Sequence, residues 1–508
     1  MMDFVCNFPF FSVVLCLFAA VLCSILKARA ARVVTLIVET LLVFFSVSVL
    51  AYTFGKGTYF TYDMGHFDAP WSNQLRAGVA EGVMAVTFSF VLLLSHIGGA
   101  RYIDVDIPEK RRNLYCTLLN LVGAALMSLT YTNDIFTGYV FLEILTLASC
   151  GILVIRRSGR TALAATRYMV LNLLGSGLFL IGSTLFYGIT GHLLMEYIGE
   201  GVAKLDVTGE YALPLTVTVG IISAGLAIKS GLFPFHTWMP DTYGCATPTS
   251  SAILSGIISK GYIFLLIKVL YRVVGIETEA FNSARHILLM LGLCGMIMGS
   301  VFAMNSRHLN RMIAYSSAAQ IGYIFVGIGL GGTSGFVAAL FGMIVHAITK
   351  PLLFLSGARL SEVSGDSQEF KHLQGSAIRN KKAGIAFAIG AMSMTGIPSL
   401  AGFSAKLYFA LAATSHRGAV ELVVLAALAV STILNALYFI RTVIRMFTPS
   451  AEADKFGETE YFYKEGELSK HDIGLTIVLL CFGAAIIFLG FDPQCLTNIL
   501  RLGVSMLA

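Results

Sequence analysis

The hydrophobic positions of this chain gather into long runs separated by short polar connections. A run of roughly 17–25 apolar residues is what one helix needs to cross a bilayer. By that measure helices are expected near 5–26, 33–53, 79–98, 114–131, 135–155, 165–189, 212–233, 250–273, 286–304, 311–330, 335–358, 382–412, 419–447 and 472–491, about fourteen crossings. The apolar stretch from 311 to 358 is divided only by the glycine-rich segment 327–335. The expected fold is an all-α membrane protein.

Lys and Arg concentrate on one side of that pattern. With both termini outside, the inner loops hold about 22 of them and the outer segments about 7, the excess expected of cytoplasmic loops. The most polar connections are 359–381, with Glu362, Asp366, Glu369, Lys371, Arg379, Lys381 and Lys382 at its end, and 448–471, with Glu452, Asp454, Lys455, Glu458, Glu460, Lys464, Glu465 and Glu467. Solvated loops explain both, and surfaces for neighbouring subunits are the alternative.

Composition removes other classes. The chain has 508 residues, of which 56% are hydrophobic and 13% charged, against about 25% charged in ordinary soluble domains. The net charge of +6 is spread in short clusters between apolar runs, not along a nucleic-acid-binding face. Nine cysteines show no metal-ligand spacing and read as packing residues. Asp3 before the first run, and Lys27, Arg29 and Arg32 after it, argue for an uncleaved first helix with its N-terminus outside. The expected location is the cell membrane, a prokaryotic plasma membrane. Gly327, Gly329 and Gly332 spell GxGxxG without a strand before them, so a helix-connecting turn is expected. Gly295 and Gly299 form a GxxxG that predicts close helix packing.

The informative residues are ionisable groups inside apolar runs: Glu143, Lys229, Lys260, His346, Lys350 and Lys406. Each charge at the bilayer centre costs about 2.5–3.5 kcal/mol on insertion scales, so such a set implies pairing or a protein-lined polar route. Glu143 is expected to meet Lys229. Lys268, two turns beyond Lys260, is expected to snorkel toward the interface. Lys229 precedes Gly231 and Pro234, and Lys406 follows Gly396, Pro398 and Gly402. Two interrupted helices, each with one lysine, point to a transporter built from internal repeats. The corresponding units would be helices four to eight (114–273) and nine to thirteen (286–447), preceded by helices one to three (1–113) and followed by the polar loop and last helix (448–508).

The segments FPFHTWMPDTYGCATPTSSAILSGIISK, AYSSAAQIGY, HAITKPLLFLSGARL and GIPSLAGFSAKLY resemble the antiporter-like membrane subunits shared by respiratory complex I, Mrp-type sodium/proton antiporters and membrane-bound energy-converting hydrogenases. The resemblance spans roughly residues 115–445. It implies two inverted five-helix repeats with broken helices seven and twelve. It also implies a proton route through Glu143, Lys229, Lys260, His346 and Lys406, to which the residue pattern adds Lys350, and structural or gating roles for His236, Trp238, Pro240 and Asp241, alongside the helix-breaking Pro234 and Pro398. Lysine at 406 looks like the Mrp D-type subunit and some related complex I subunits. Two features depart from the family pattern. Pro351 replaces a usual small residue after Lys350, and Glu81 stands about where many members carry an aspartate, in surroundings that match poorly. The branch with a long lateral helix after the last span is not expected.

The function implied is that of a proton-translocating subunit in a multisubunit complex, with other membrane subunits as partners and further antiporter-like chains among them. A redox-independent sodium/proton exchanger is the alternative, and a structural scaffold ranks below both. No cofactor, metal or nucleic acid is expected in this chain, and any redox chemistry belongs to other subunits. A mostly cationic row favours protons over sodium, which prefers oxygen ligands.

Overall fold

Inside a bilayer the backbone can satisfy its hydrogen bonds only within a helix or a closed barrel, and the long runs take the first solution. The computed structural model describes residues 2–67, 72–415, 418–449 and 470–507. The membrane helices are numbered here in chain order: α1 Phe8–Ile25, α2 Ala28–Lys56, α3 Val79–Gly98, α4 Glu109–Tyr131, α5 Ile135–Val154 and α6 Gly159–Thr190. Then come α7, in two parts, Ala212–Ser230 and Met239–Cys245, followed by α8 Pro248–Val274, α9 Glu279–Met304, α10 Leu309–Leu330 and α11 Gly332–Glu362. The series closes with α12, in two parts, Lys381–Thr395 and Ala401–Thr414, then α13 Ala419–Phe447 and α14 Lys470–Phe491. Among the described residues thirteen of these are long and apolar enough to cross a membrane. The expected single span 382–412 is instead the two half-helices of α12.

Short elements join the crossings. A two-stranded antiparallel ribbon, β1 Phe60–Asp63 and β2 Gln74–Ala77, pairs Phe60 with Ala77 and Asp63 with Gln74 between α2 and α3. The turn expected across the GxGxxG segment is confined to Gly331, which links α10 to α11, whereas Gly327 and Gly329 lie inside α10 and Gly332 opens α11. Most of the polar loop 448–471 lies outside the described residues.

The apolar stretches of α8 and α11 are completely enclosed by protein, whereas less than half of that of α1, α2, α6, α9, α13 or α14 is covered. The outer helices present Leu480, Leu422 and Val170 outward, as lipid-facing helices do. Close approach between α9 and α10 rests on glycines. A Cβ at Gly299 would lie 2.6 Å from the Ala319 nitrogen, and one at Gly322 would lie 2.4 Å from the Met296 nitrogen. The packing expected of Gly299 is therefore present.

Both broken helices stop in the same way. Gly231 has φ +77 and Gly396 has φ +90, a conformation that only glycine adopts without steric cost. At the first break the Leu232 N–H donates to Ala227 O (3.0 Å), and at the second the Ile397 N–H donates to Met392 O (3.2 Å). These are the same Schellman closure, with Pro234 and Pro398 following. Pro351 sits inside α11 without breaking it: the helix runs continuously from Gly332 to Glu362.

Candidate functional site: a buried row of ionisable side chains

Lys229 is the penultimate residue of the first part of α7 and is fully buried. Its ammonium donates to Thr146 Oγ1 of α5 (2.6 Å) and lies 5.1 Å from the centre of the Tyr262 ring of α8. The Thr146 hydroxyl donates to Leu142 O (2.9 Å), so in its 3.2 Å contact with Tyr262 the tyrosine is the donor. Glu143 does not take the place expected of it. Among the described residues no ion pair joins it to Lys229, and it is only partly buried. Three residues before Thr146, it lies on the same face of α5, one turn away, and stays within electrostatic range of the lysine.

Lys260 is buried in α8, next to a widened π-helical turn, Leu254–Ile258. That turn offers a carbonyl: the Lys260 ammonium donates to Ser255 O and to Ser259 Oγ (3.2 Å). Single π turns are often found at functional sites. Ser255 Oγ meets Ser317 Oγ of α10 at 2.9 Å. Ser317 neighbours Ser316, which accepts from the ammonium of Lys350, and Lys350 also donates to Ile313 O (3.0 Å). His346, one turn before Lys350 on the enclosed α11, is buried with neither ring nitrogen hydrogen-bonded among the described residues. A serine-lined polar thread thus joins Lys260 to Lys350 across three helices.

Lys406 ends the row. It is half-buried in the second part of α12, and its ammonium reaches back across the break to Thr395 O (2.8 Å), 5.8 Å from the Tyr323 ring of α10. Thr395 closes the first half-helix, so Lys406 places its charge at a helix C-terminus, where the peptide dipoles favour a cation. Lys229 lies at the corresponding end of the first part of α7. The two lysines reach equivalent breaks from opposite sides in sequence.

The residues expected to be structural are built into the helix-seven break. The His236 ring stacks on Phe233 and Phe302, with centroids 5.4 Å away in each case. Trp238 meets Tyr168 edge-on at 5.0 Å. Asp241 holds Arg167 and Arg311 at 2.5 Å each, tying α7 to α6 and α10.

Sequence reasoning missed Thr146, Tyr262, Ser255, Ser316 and Ser317, because hydroxyls in apolar helices usually bond their own backbone. Lys268 is corrected. It does not snorkel but is fully buried and donates to Thr130 O (3.0 Å) in the last turn of α4 and to Thr132 O (2.8 Å) of the residue that caps it. Glu81 forms a buried ion pair with Arg272 of α8 (2.7 Å).

Residues 132–434 match the family model described as NADH:quinone oxidoreductase/Mrp antiporter, transmembrane region. The chain belongs to this family. Within the NADH:quinone oxidoreductase/Mrp antiporter family it is 30% identical over 461 residues to NADH-quinone oxidoreductase subunit N of Desulforudis audaxviator, covering 89% of each chain. Subunit N 1 of Rhizobium meliloti is 30% identical over 364 residues, 71% of this chain and 72% of that one. The fold is shared with a chain of the archaeal membrane-bound sulfane sulfur reductase (TM-score 0.86, 24% identity, 100% and 97% of the two chains). It is shared also with a chain of the Mrp complex from a Dietzia species (0.85, 22%, 99% and 97%) and one of respiratory complex I from Thermus thermophilus (0.75, 21%, 98% and 100%).

Proposed function

We propose that this chain translocates protons as one antiporter-like subunit of a multisubunit energy-converting membrane complex, seated in the cell membrane with both termini outside. The observation that carries this reading is the placement of Lys260, His346 and Lys350 in the enclosed apolar stretches of α8 and α11, with hydrogen-bonded serines between the two lysines. Ionisable side chains in such a place mark ion pathways by default. Protons enter beside Glu143 and Lys229, pass Lys260, His346 and Lys350, and leave by Lys406. The Lys229 ammonium has three donors, and turning from Thr146 to Glu143, one helical turn away, exchanges a neutral acceptor for an ionic one. That alternation would raise and lower the hold on the proton. The subunit N and complex I likeness supports redox-driven complexes as the setting, with the redox groups in other subunits.

The second reading, a redox-independent sodium/proton exchanger, is favoured by the likeness to the Mrp complex chain. The experiment is ion movement in vesicles holding the assembled complex, comparing wild type with Glu143→Gln, Lys229→Ala and Lys406→Ala. Loss of ion movement in assembled variants supports the row. Normal coupling in all three sinks it. Dependence on an electron donor separates the redox-driven setting from the exchanger.

A further inference from the structure

The three N-terminal membrane helices hold a second acid and base, outside the residues matched by the family model and absent from the row above. Glu39, in the middle of α2, and His96, near the end of α3, are 2% and 1% exposed. Glu39 Oε2 meets His96 Nδ1 at 2.8 Å. The remaining atoms of both groups, Glu39 Oε1 and His96 Nε2, have no hydrogen-bond partner among the described residues, and neither do the neighbouring Ser95 Oγ and Asn120 Oδ1. A purely structural pair would be expected to use its full hydrogen-bonding capacity, because each unsatisfied buried polar group costs about 1–3 kcal/mol. Here the free positions lie at both ends of the pair.

We propose that Glu39 and His96 form a proton-exchanging site, distinct from the row that ends at Lys406, which loads and releases one proton through the Oε1 and Nε2 atoms. When the carboxylate is ionised, Oε2 can only accept, so Nδ1 carries hydrogen and Nε2 is open to a proton. Unloaded, the pair holds one net negative charge. Loaded, it is neutral, either as carboxylate with imidazolium or as carboxylic acid with imidazole. Only an N–H or O–H bond forms or breaks, and the proton comes from and returns to water.

Cys16 and Cys23 of α1, and Tyr115 and Cys116 of α4, are the titratable groups that feel Glu39, and Arg32, two turns earlier on α2, is held by Asp104 at 2.5 Å. Toward the end of α3, Gly98 faces Leu355 of α11 and Val478 of α14, while Thr249 of α8 donates to Gly99 O (3.0 Å). Tyr115 OH lies 3.1 Å from Ser250 Oγ, which lies 2.7 Å from Thr247 Oγ1 just before α8.

The test is pH-dependent infrared difference spectroscopy of the assembled complex in lipid, from about pH 5 to about pH 9, with wild type, Glu39→Gln, His96→Asn and Glu143→Gln. The expected result is a set of titrating bands that Glu39→Gln abolishes and Glu143→Gln retains, with a midpoint that His96→Asn displaces by at least about one pH unit. Retention in Glu143→Gln separates this site from the row, whichever way the row itself behaves. Should Glu39→Gln fail to assemble, His96→Asn still decides: titration with an unchanged midpoint, or no titration in the wild type, overturns the proposal and leaves a static ion pair.

Discussion

The ammonium of Lys406 lies 2.8 Å from the carbonyl oxygen of Thr395, eleven residues earlier and on the other side of the helix break. The break at Gly396 therefore does two things. It frees carbonyls at the end of the first half-helix, and it opens space for a lysine from the second half to meet them. A Cβ at Gly396 would lie 3.0 Å from Lys406 Cδ and 3.3 Å from its Nζ.

Gly396→Ala is expected to cost about 1–2 kcal/mol in left-handed backbone strain and to displace the Lys406 head from Thr395. Gly191→Ala, at φ +75 with nothing within 4 Å of the added Cβ, carries comparable strain alone. Thermal unfolding of the two assembled variants should show similar losses, while ion movement in vesicles should fall only for Gly396→Ala.

Thr146→Val removes the only hydrogen-bond acceptor that Lys229 has among the described residues. Leaving a buried ammonium so placed costs about 1–3 kcal/mol or more. If that hydroxyl holds the lysine between proton transfers, ion movement falls by about tenfold or more, and Thr146→Ser restores it. Equal rates for Val and Ser would remove the hydroxyl from the route.

Glu81→Ala strands Arg272, whose guanidinium also reaches Asn133 Oδ1 (3.0 Å) and Leu507 O (3.3 Å). Removing one partner of a buried ion pair costs about 3–5 kcal/mol. The expected outcome is a marked loss of assembled complex in membranes, read by native gel, with Glu81→Gln milder because it keeps an acceptor for the arginine.

Gly322→Leu is expected to separate α9 from α10. The first added carbon already meets backbone at 2.4 Å, and backbone cannot rotate away as a side chain can. Overpacking of this kind costs about 1–3 kcal/mol, occasionally more. Lower thermal stability of the assembled complex checks it, and an unchanged unfolding temperature would contradict the tight crossing.

Much of the architecture was legible because bilayer and water impose opposite demands on each segment. Long apolar runs marked the helices, and Gly231 with Pro234 and Gly396 with Pro398 marked the breaks, since these residues cannot continue a regular helix. Segment patterns do not say where a side chain turns once the helices pack. Glu143 and Lys229 read as partners by sign of charge, but the lysine found a hydroxyl one turn away. Lys268 read as a residue that escapes to the interface, yet the end of α4 supplied carbonyls that keep it buried.

By itself the sequence determined that the chain crosses a membrane many times, which residues would be costly to bury, and where two helices must stop. Those follow from composition and local backbone chemistry, which act within a single segment. The tertiary structure decided which helices are enclosed and which hydroxyls and carbonyls receive each ammonium. It also decided that Glu39 and His96, 57 positions apart, share one hydrogen bond. Such pairings depend on the rotation and depth of each helix against its neighbours, and these are fixed only when all the packing faces are satisfied together.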